Sequence, residues 1–344
     1  MAYKADKKYI FTMVGATGAV GKEVISILSS RKFPLKELRL IASSKSQNRT
    51  VTFEGNELPI QALSQSAFEG ADFAFFSAGS PVSKEYVPMA TKAGALVIDN
   101  TSAFRMDPDV PLAVPEVNPH VLSKIPQKRI VSVPNCSTVQ MVVALFPLHK
   151  ASKIKRIVVS TYQSTSGAGK KAMEELARQV GDLFNYRATA NNAFPYRIAF
   201  NLIPEIGGFE KNASSVEEAK ICAETKKIFE DPTIGVSATA VRVPTFHCHA
   251  LSINMETQEP LSPENAKKIL SKASGVVLAD QPSDHLYPLV TEVQGKDEVY
   301  VGRIRKDDSR ENCLNLWVVA DNLRKGAALN GIQIAEYFIE KGLI

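Results

Sequence analysis

The stretch YIFTMVGATGAVGKEVISILSS, residues 9–30, decides how the chain is read. YIFTMV is a short apolar run with strand character, GATGAVG interrupts it with glycines, and KEVISILSSR resumes at helical period. The order is strand, glycine turn, helix. Gly15, Gly18 and Gly21 form GxxGxxG rather than GxGxxG, yet the physical demand is similar. Backbone must come close to a pyrophosphate, and amides at a helix N-terminus must point at it. A glycine turn in any other α/β protein reads alike, so this motif alone opens dinucleotide binding without deciding it.

The next strand, ELRLIA, ends about twenty residues after the last glycine, where an NAD site carries Asp or Glu for the ribose 2′-hydroxyl. Here the chain reads SSKSQNRT. Ser43, Ser44, Lys45, Ser46 and Arg49 offer hydroxyls and cations without a carboxylate, which suits a 2′-phosphate and points to NADP. A solvated polar loop is the bland alternative. Three more strands, ADFAFFSAG, ALVIDN and RIVSVPN, alternate with segments such as PVSKEYVPMATKAG that can form crossover helices. The first 135 or so residues therefore read as a doubly wound, Rossmann-type α/β domain. SAGS (77–80) and NTSAFR (100–105) follow two strand ends, which puts Arg105 where an anion would lie; a surface arginine is the alternative.

Composition narrows the class. The 344 residues, 44% hydrophobic, describe a globular chain of about two domains. The net charge of +5 is spread without a basic run, which favours anionic small molecules over nucleic acid. The N-terminus lacks a signal-peptide pattern and no apolar run approaches the roughly 20 residues of a membrane span, so a cytoplasmic protein with no membrane partner is expected. Cys136, Cys222, Cys248 and Cys313 show no CxxC spacing and should be thiols.

Cys136 follows RIVSVPN and precedes STVQMVVALFPLHK, an apolar helix with Ser137 or Thr138 as its start signal. A thiol at a helix N-terminus feels the positive end of the dipole, which favours the nucleophilic thiolate; a packed, inert cysteine is the alternative. Beyond residue 150, KIKRIVVSTYQ is a strand ending at Gln163, STSGAG a turn, and Met173, Leu176, Val180 and Leu183 the apolar face of a helix. The Gln163 amide can bond a carbonyl or carboxylate, and Ser166 and Gly167 can bring backbone to a cofactor. In SSVEEAKICAETKKIF, Glu217 and Lys220 share a helical face, while Ser214 and Glu217 match a capping box, a purely structural reading of that carboxylate.

ATAVRVPTFHCHALSINMET is a β-rich run broken at Pro244, with Arg242 before the break. Strand alternation would put His247 and His249 on one face and Cys248 on the other. No third metal ligand is evident, so no metal is expected; a strand-borne histidine can instead serve as acid and base, or as a hydrogen-bonded structural group. The tail holds a pair of strands and a closing helix aligned on Ala328, Ile332, Ala335 and Ile339.

Together, GATGAVG, SAGS, NTSAFR, PNCST, TYQSTSGAG, EEAK, RVPTFHCHALSIN and DNLRKGAA occur in the order of the aspartate-semialdehyde dehydrogenases, which the chain resembles over nearly its full length. The family's loop after the second strand often reads SxRSAG, with Lys45 here in the arginine's place. The resemblance implies NADPH-dependent reduction of L-aspartyl-4-phosphate to L-aspartate 4-semialdehyde, on the route to lysine and diaminopimelate, threonine, methionine and isoleucine. By it, Cys136 is the nucleophile and forms a thioester, His249 is acid and base, and Gln163 orients the substrate. Arg242 clamps the α-carboxylate, Glu217 holds the ammonium, and Arg105 and Lys220 bind phosphate. Gly15, Thr17, Gly18, Ala19 and Val20 form the pyrophosphate turn, Lys45 and Ser46 the adenosine end, and Ser166, Gly167 and Asn322 the nicotinamide end. It implies a glyceraldehyde-3-phosphate dehydrogenase-like layout, with residues 1–134 and 323–344 binding NADP and 135–322 forming an α+β catalytic and dimerisation domain. It also implies a homodimer, with a tetramer as the variant. N-acetyl-glutamyl-phosphate reductase and a non-catalytic paralogue are the competing readings.

Overall fold

The computed structural model describes residues 7–46 and 49–344, which divide into two compact units, one of residues up to Pro134 with Ala327–Ile344 and one of Asn135–Gly326.

In the first unit, β1 (Tyr9–Val14) leads through the glycine turn into α1 (Ala19–Ser30) and then β2 (Leu35–Ala42). Strands β3 (Thr50–Phe53) and β4 (Asn56–Ala62) form a hairpin, followed by β5 (Phe73–Phe76), α2 (Ser80–Lys92), β6 (Leu96–Asp99) and β7 (Ile130–Ser132). The sheet order is β3-β4-β2-β1-β5-β6-β7, parallel except for β3 against β4. The direction of winding reverses between β1 and β5, the place where such sheets bind ligands. All four residues of β5 are buried because both faces of the sheet are covered. Phe73 and Phe75 pack into one layer with the C-terminal helix Leu329–Glu340, and Ala74 and Phe76 into the other with α2. The β3–β4 hairpin is missing from the pattern-based reading. Its strands do alternate, with Val51 and Phe53 on one and Leu58 and Ile60 on the other packed on the core, and its turn rests on left-handed Glu54 and Gly55.

The second unit begins with α3 (Cys136–Ala151), then β8 (Ile154–Gln163), α4 (Lys170–Phe184), α5 (Val216–Phe229), β9 (Gly235–Arg242) and β10 (His249–Thr257). It continues with α6 (Pro263–Leu270), β11 (Val276–Leu278), α7 (Val290–Val293), β12 (Val299–Lys306) and β13 (Cys313–Ala320). Its mixed sheet runs β11-β12-β13-β10-β8-β9.

Three local expectations are corrected. Asn135, rather than Ser137 or Thr138, caps α3: its Oδ1 accepts from the Ser137 and Thr138 amides at 3.0 and 3.3 Å. Ser215 and Glu218, rather than Ser214 and Glu217, form the capping box of α5. The strand resumes only at His249, so His247 lies in the preceding loop and shares no strand face with it.

Candidate active site

The site in the second unit is built by strand register. Arg242 ends β9, Gln163 ends β8 and His249 begins β10; Arg242 pairs with Gln163, and Gln163 with His249. Register partners on adjacent strands point to the same face, so three side chains distant in sequence form one row at the sheet's end. All three are buried.

Helix α3 brings Cys136 as its first residue, where helix amides have no intrahelical partner. Asn135 fixes that turn and, through Nδ2, donates to Glu217 Oε1 at 2.7 Å. Gln163 Nε2 donates to the same oxygen at 3.2 Å, so Glu217 joins the helix start to the sheet row. Glu224, seven residues further along α5, accepts from the Asn135 amide at 2.6 Å. Lys220, half-buried, holds Nζ 3.9 Å from Glu217 Oε2. The one-residue shift of the capping box has a direct consequence: Glu218 satisfies the helix end, and Glu217 turns inward with the α3 start.

Burial lowers the Arg242 guanidinium's affinity for its proton, opposed by the negative charges of Glu217 and Cys136. Arg242 Nη1 donates to the Ser164 carbonyl at 2.7 Å. Burial, seconded by Arg242, pushes the His249 imidazole down to about 3. A methyl group built on Gly167 would lie 2.8 Å from Arg242 Nη1 and 3.1 Å from His249 Nε2, so only a glycine leaves both in place. Asn322 Oδ1 accepts from the Ser164 and Ser166 hydroxyls at 3.2 and 3.1 Å. Gly326 lies against the nucleophile candidate: its missing Cβ would fall 2.9 Å from Cys136 Cβ.

The other cysteines have packing surroundings. Cys248 is buried beside Ala250, Val293 and Val319, in a left-handed conformation, and burial raises its thiol, as it does those of Cys222 and Cys313.

In the first unit, a cavity of about 500 Å³ opens at the carboxyl ends of β1, β2 and β5, lined by Gly15, Thr17, Gly18, Ser43 and Ser77 among others. Gly15 is left-handed, and a Cβ on it would sit 2.6 Å from the Ser77 carbonyl oxygen. Ala19 and Val20 open α1, whose first turn carries no acidic residue to repel an anion. Ser46 closes a single turn after β2; the side chain of Lys45 lies outside what is described. The residues present fit a dinucleotide: a cavity of suitable size, a backbone cradle and a helix N-terminus meet at the sheet's switch point. Arg105 is no surface arginine. It is 7% exposed and donates from Nε to Val133 O at 2.9 Å and from Nη2 to Asn100 O at 3.1 Å.

Pattern reading missed Asn135, Glu224, Ser164 and Gly326. Asn135 carries a cap-type side chain directly before the cysteine, and Glu224 repeats the helical face of Glu217 two turns on, signals that were available. Ser164 and Gly326 act through proximity alone and left none.

Residues 11–125 match the model of the semialdehyde dehydrogenase NAD binding domain, and 145–325 that of the semialdehyde dehydrogenase dimerisation domain. The chain is 49% identical over 338 residues to an aspartate-semialdehyde dehydrogenase of Aquifex aeolicus, covering 98% of this chain and 99% of that one. It is similar to the crystal structure of aspartate semialdehyde dehydrogenase II of Vibrio cholerae complexed with ASA, with a TM-score of 0.94, 44% identity and coverage of 97% and 99%. It is also similar to the NADP-bound Candida albicans enzyme, with a TM-score of 0.77, 25% identity and coverage of 98% and 100%.

Proposed function

The chain belongs to the aspartate-semialdehyde dehydrogenase family, and from that premise we infer how its residues divide the reduction of L-aspartyl-4-phosphate to L-aspartate 4-semialdehyde. It is an NADP-dependent oxidoreductase acting on an acyl phosphate. The observation that carries the residue roles is the register row Arg242–Gln163–His249, tied through Glu217 to the helix start that bears Cys136.

Cys136 attacks the acyl carbon, phosphate leaves, and a thioester remains. Arg242 holds the α-carboxylate as a planar fork, and Glu217 the ammonium. Gln163, anchored on Glu217, orients the carbonyl. His249 serves the oxygen of the tetrahedral adducts through Nε2, at the position the family uses for acid and base. Arg105 and Lys220 bind the phosphate. NADPH supplies the hydride, held by Gly15, Thr17, Gly18, Ala19 and Val20 at the pyrophosphate, Lys45 and Ser46 at the 2′-phosphate, and Ser166, Gly167 and Asn322 toward the nicotinamide. Cofactor binding belongs to residues 1–134 and 323–344, substrate binding and self-association to 135–322.

A dimerisation domain is present; a homodimer is the assembly we favour, with a tetramer of two dimers as the variant. Among the described residues no helix is long and apolar enough to cross a membrane, and all four cysteines are thiols, in keeping with a reducing cytoplasmic compartment.

The test is phosphate-dependent reduction of NADP by aspartate semialdehyde, beside NAD and beside N-acetyl-glutamate semialdehyde. Activity with the first pair, lost in Cys136→Ala, is expected. Turnover of the acetylated substrate, or activity surviving in Cys136→Ala, would overturn the assignment.

A further inference from the structure

A helix start leaves four amides without intrahelical partners, and a local capping box would pair one of them with Glu or Gln at the third helical position. In α3 that position is Thr138, whose buried hydroxyl finds no partner among the described residues, and the first turn carries no acidic side chain. The missing acceptor comes from another helix. Glu224 Oε2 of α5 accepts from the Asn135 amide at 2.6 Å, while Asn135 Oδ1 takes the Ser137 and Thr138 amides. Three of the four amides are thereby paired. Asn135 Nδ2 donates to Glu217 Oε1 at 2.7 Å, so a flipped Asn135 would set its oxygen against a carboxylate and its NH₂ against helix amides. Helix α5 thus holds both the backbone and the side chain of the α3 cap.

Glu217, Lys220 and Glu224 stand at i, i+3 and i+7, on one face of α5. The first two hold the ammonium and the phosphate in the reaction proposed above; Glu224, 1% exposed, has no part in it. One helix face therefore carries substrate contacts at its start and an anchor of the nucleophile's helix two turns on.

We propose that Glu224 is a positioning residue for the nucleophile: by closing the α3 cap from α5, it fixes Cys136, the residue after Asn135, at a set distance from the α5 side chains that hold the substrate. The inference rests on the reading of Cys136 as nucleophile and leaves the reaction itself unchanged. Without the Glu224 carboxylate, a buried N–H loses its partner and the cap must move to find another. Cys136 moves with it. The substrate does not, because Arg242 of β9 and Glu217 of α5 stay where they are.

The experiment compares Glu224→Leu and Glu224→Gln with the parent full chain in three measurements: phosphate-dependent NADP reduction, iodoacetamide alkylation of Cys136 read from the mass of its peptide, and thermal unfolding. Glu224→Leu should lower kcat about ten- to a hundredfold, the effect of a displacement approaching 1 Å, with KM for aspartate semialdehyde near the parent's. Alkylation should slow about two- to fivefold, as the sulphur leaves the field of the helix end. Glu224→Gln keeps an oxygen that can accept the same N–H, so it should restore kcat and alkylation together. If Glu224→Leu does not fold, Glu224→Asp decides: it keeps the charge but is one methylene short, and its kcat should fall in the same range. A folded Leu or Asp variant with the parent's kcat and alkylation rate, whatever its Tm, would leave Glu224 a merely structural role and refute the proposal. So would a raised KM with unchanged kcat, or a Gln variant as impaired as Leu. The alkylation readout needs no substrate, and activity surviving in Cys136→Ala would sink the nucleophile assignment separately.

Discussion

Gly326→Ala should cripple the enzyme by moving its nucleophile. Gly326 sits in the π-helical turn Arg324–Ala328, its amide donating to Asp321 O at 3.2 Å. It is not left-handed, so an alanine costs nothing in backbone conformation there. The cost is steric. The added methyl would stand 2.9 Å from Cys136 Cβ and 3.3 Å from its Cα. The shorter distance is about 0.6 Å inside the lower limit of ordinary carbon–carbon contact, roughly 3.5 Å. Neither atom is the end of a flexible chain, so the first turn of α3 or the π turn must shift by that amount. Overpacking of this kind costs about 1–3 kcal/mol of stability. Misplacement by 1 Å can cost about a hundredfold in rate, so a shift near half that should lower kcat roughly ten- to a hundredfold. The assay is phosphate-dependent NADP reduction, with iodoacetamide alkylation of Cys136 measured in parallel and thermal unfolding as the stability readout. A variant with kcat within twofold of the parent and an unchanged Tm would show that the turn yields freely and that the close approach has no bearing on catalysis.

The capping correction separates two neighbouring residues. Ser215→Ala should destabilise the chain by about 1 kcal/mol in denaturant unfolding, with kcat and KM unchanged. Glu217→Gln should leave stability closer to the parent but raise KM for aspartate semialdehyde about ten- to a hundredfold, the loss of a charge-assisted bond worth about 1.5–3 kcal/mol. Equal effects of both changes on KM would refute the division of labour. Asp231 is pulled down from 3.8 to about 2, chiefly by the Thr233 hydroxyl and amide and then by Lys153. A depressed folded-state value stabilises above the unfolded one, so this contribution is complete above about pH 4 and disappears as pH falls toward 2. Asp231→Asn should remove it, lowering stability at neutral pH and flattening the acid limb between those limits; an acid limb as steep as the parent's would count against it.

Much of the architecture was legible because its signals are local. The alternation of apolar strands with periodic helices, and a glycine turn between the first pair, are properties of adjacent residues; β1, α1 and β2 fall where the pattern placed them. The identity of the chemistry was carried by motifs in order, among them a cysteine between strand and helix. The β3–β4 hairpin is a local signal of the same kind that the pattern-based reading passed over: Val51 and Phe53 alternate with threonines, and Leu58 and Ile60 with Glu57 and Pro59, on either side of Glu54 and Gly55.

What the residues alone left open was which neighbour does what. Ser214 and Ser215 are each followed three residues later by a glutamate, so two capping boxes fit the α5 sequence equally well. The packing of α5 chooses between them, because burying Glu217 against Asn135 and Gln163 satisfies its carboxylate while Ser215 and Glu218 close the helix end. Alternation put His247 and His249 on one strand face, and the chain's break before β10 undid that pairing. Arg242, Gln163 and His249 lie on three strands whose alignment no single segment encodes. Strand register is set by pairing across the sheet, so the row belongs to the tertiary structure.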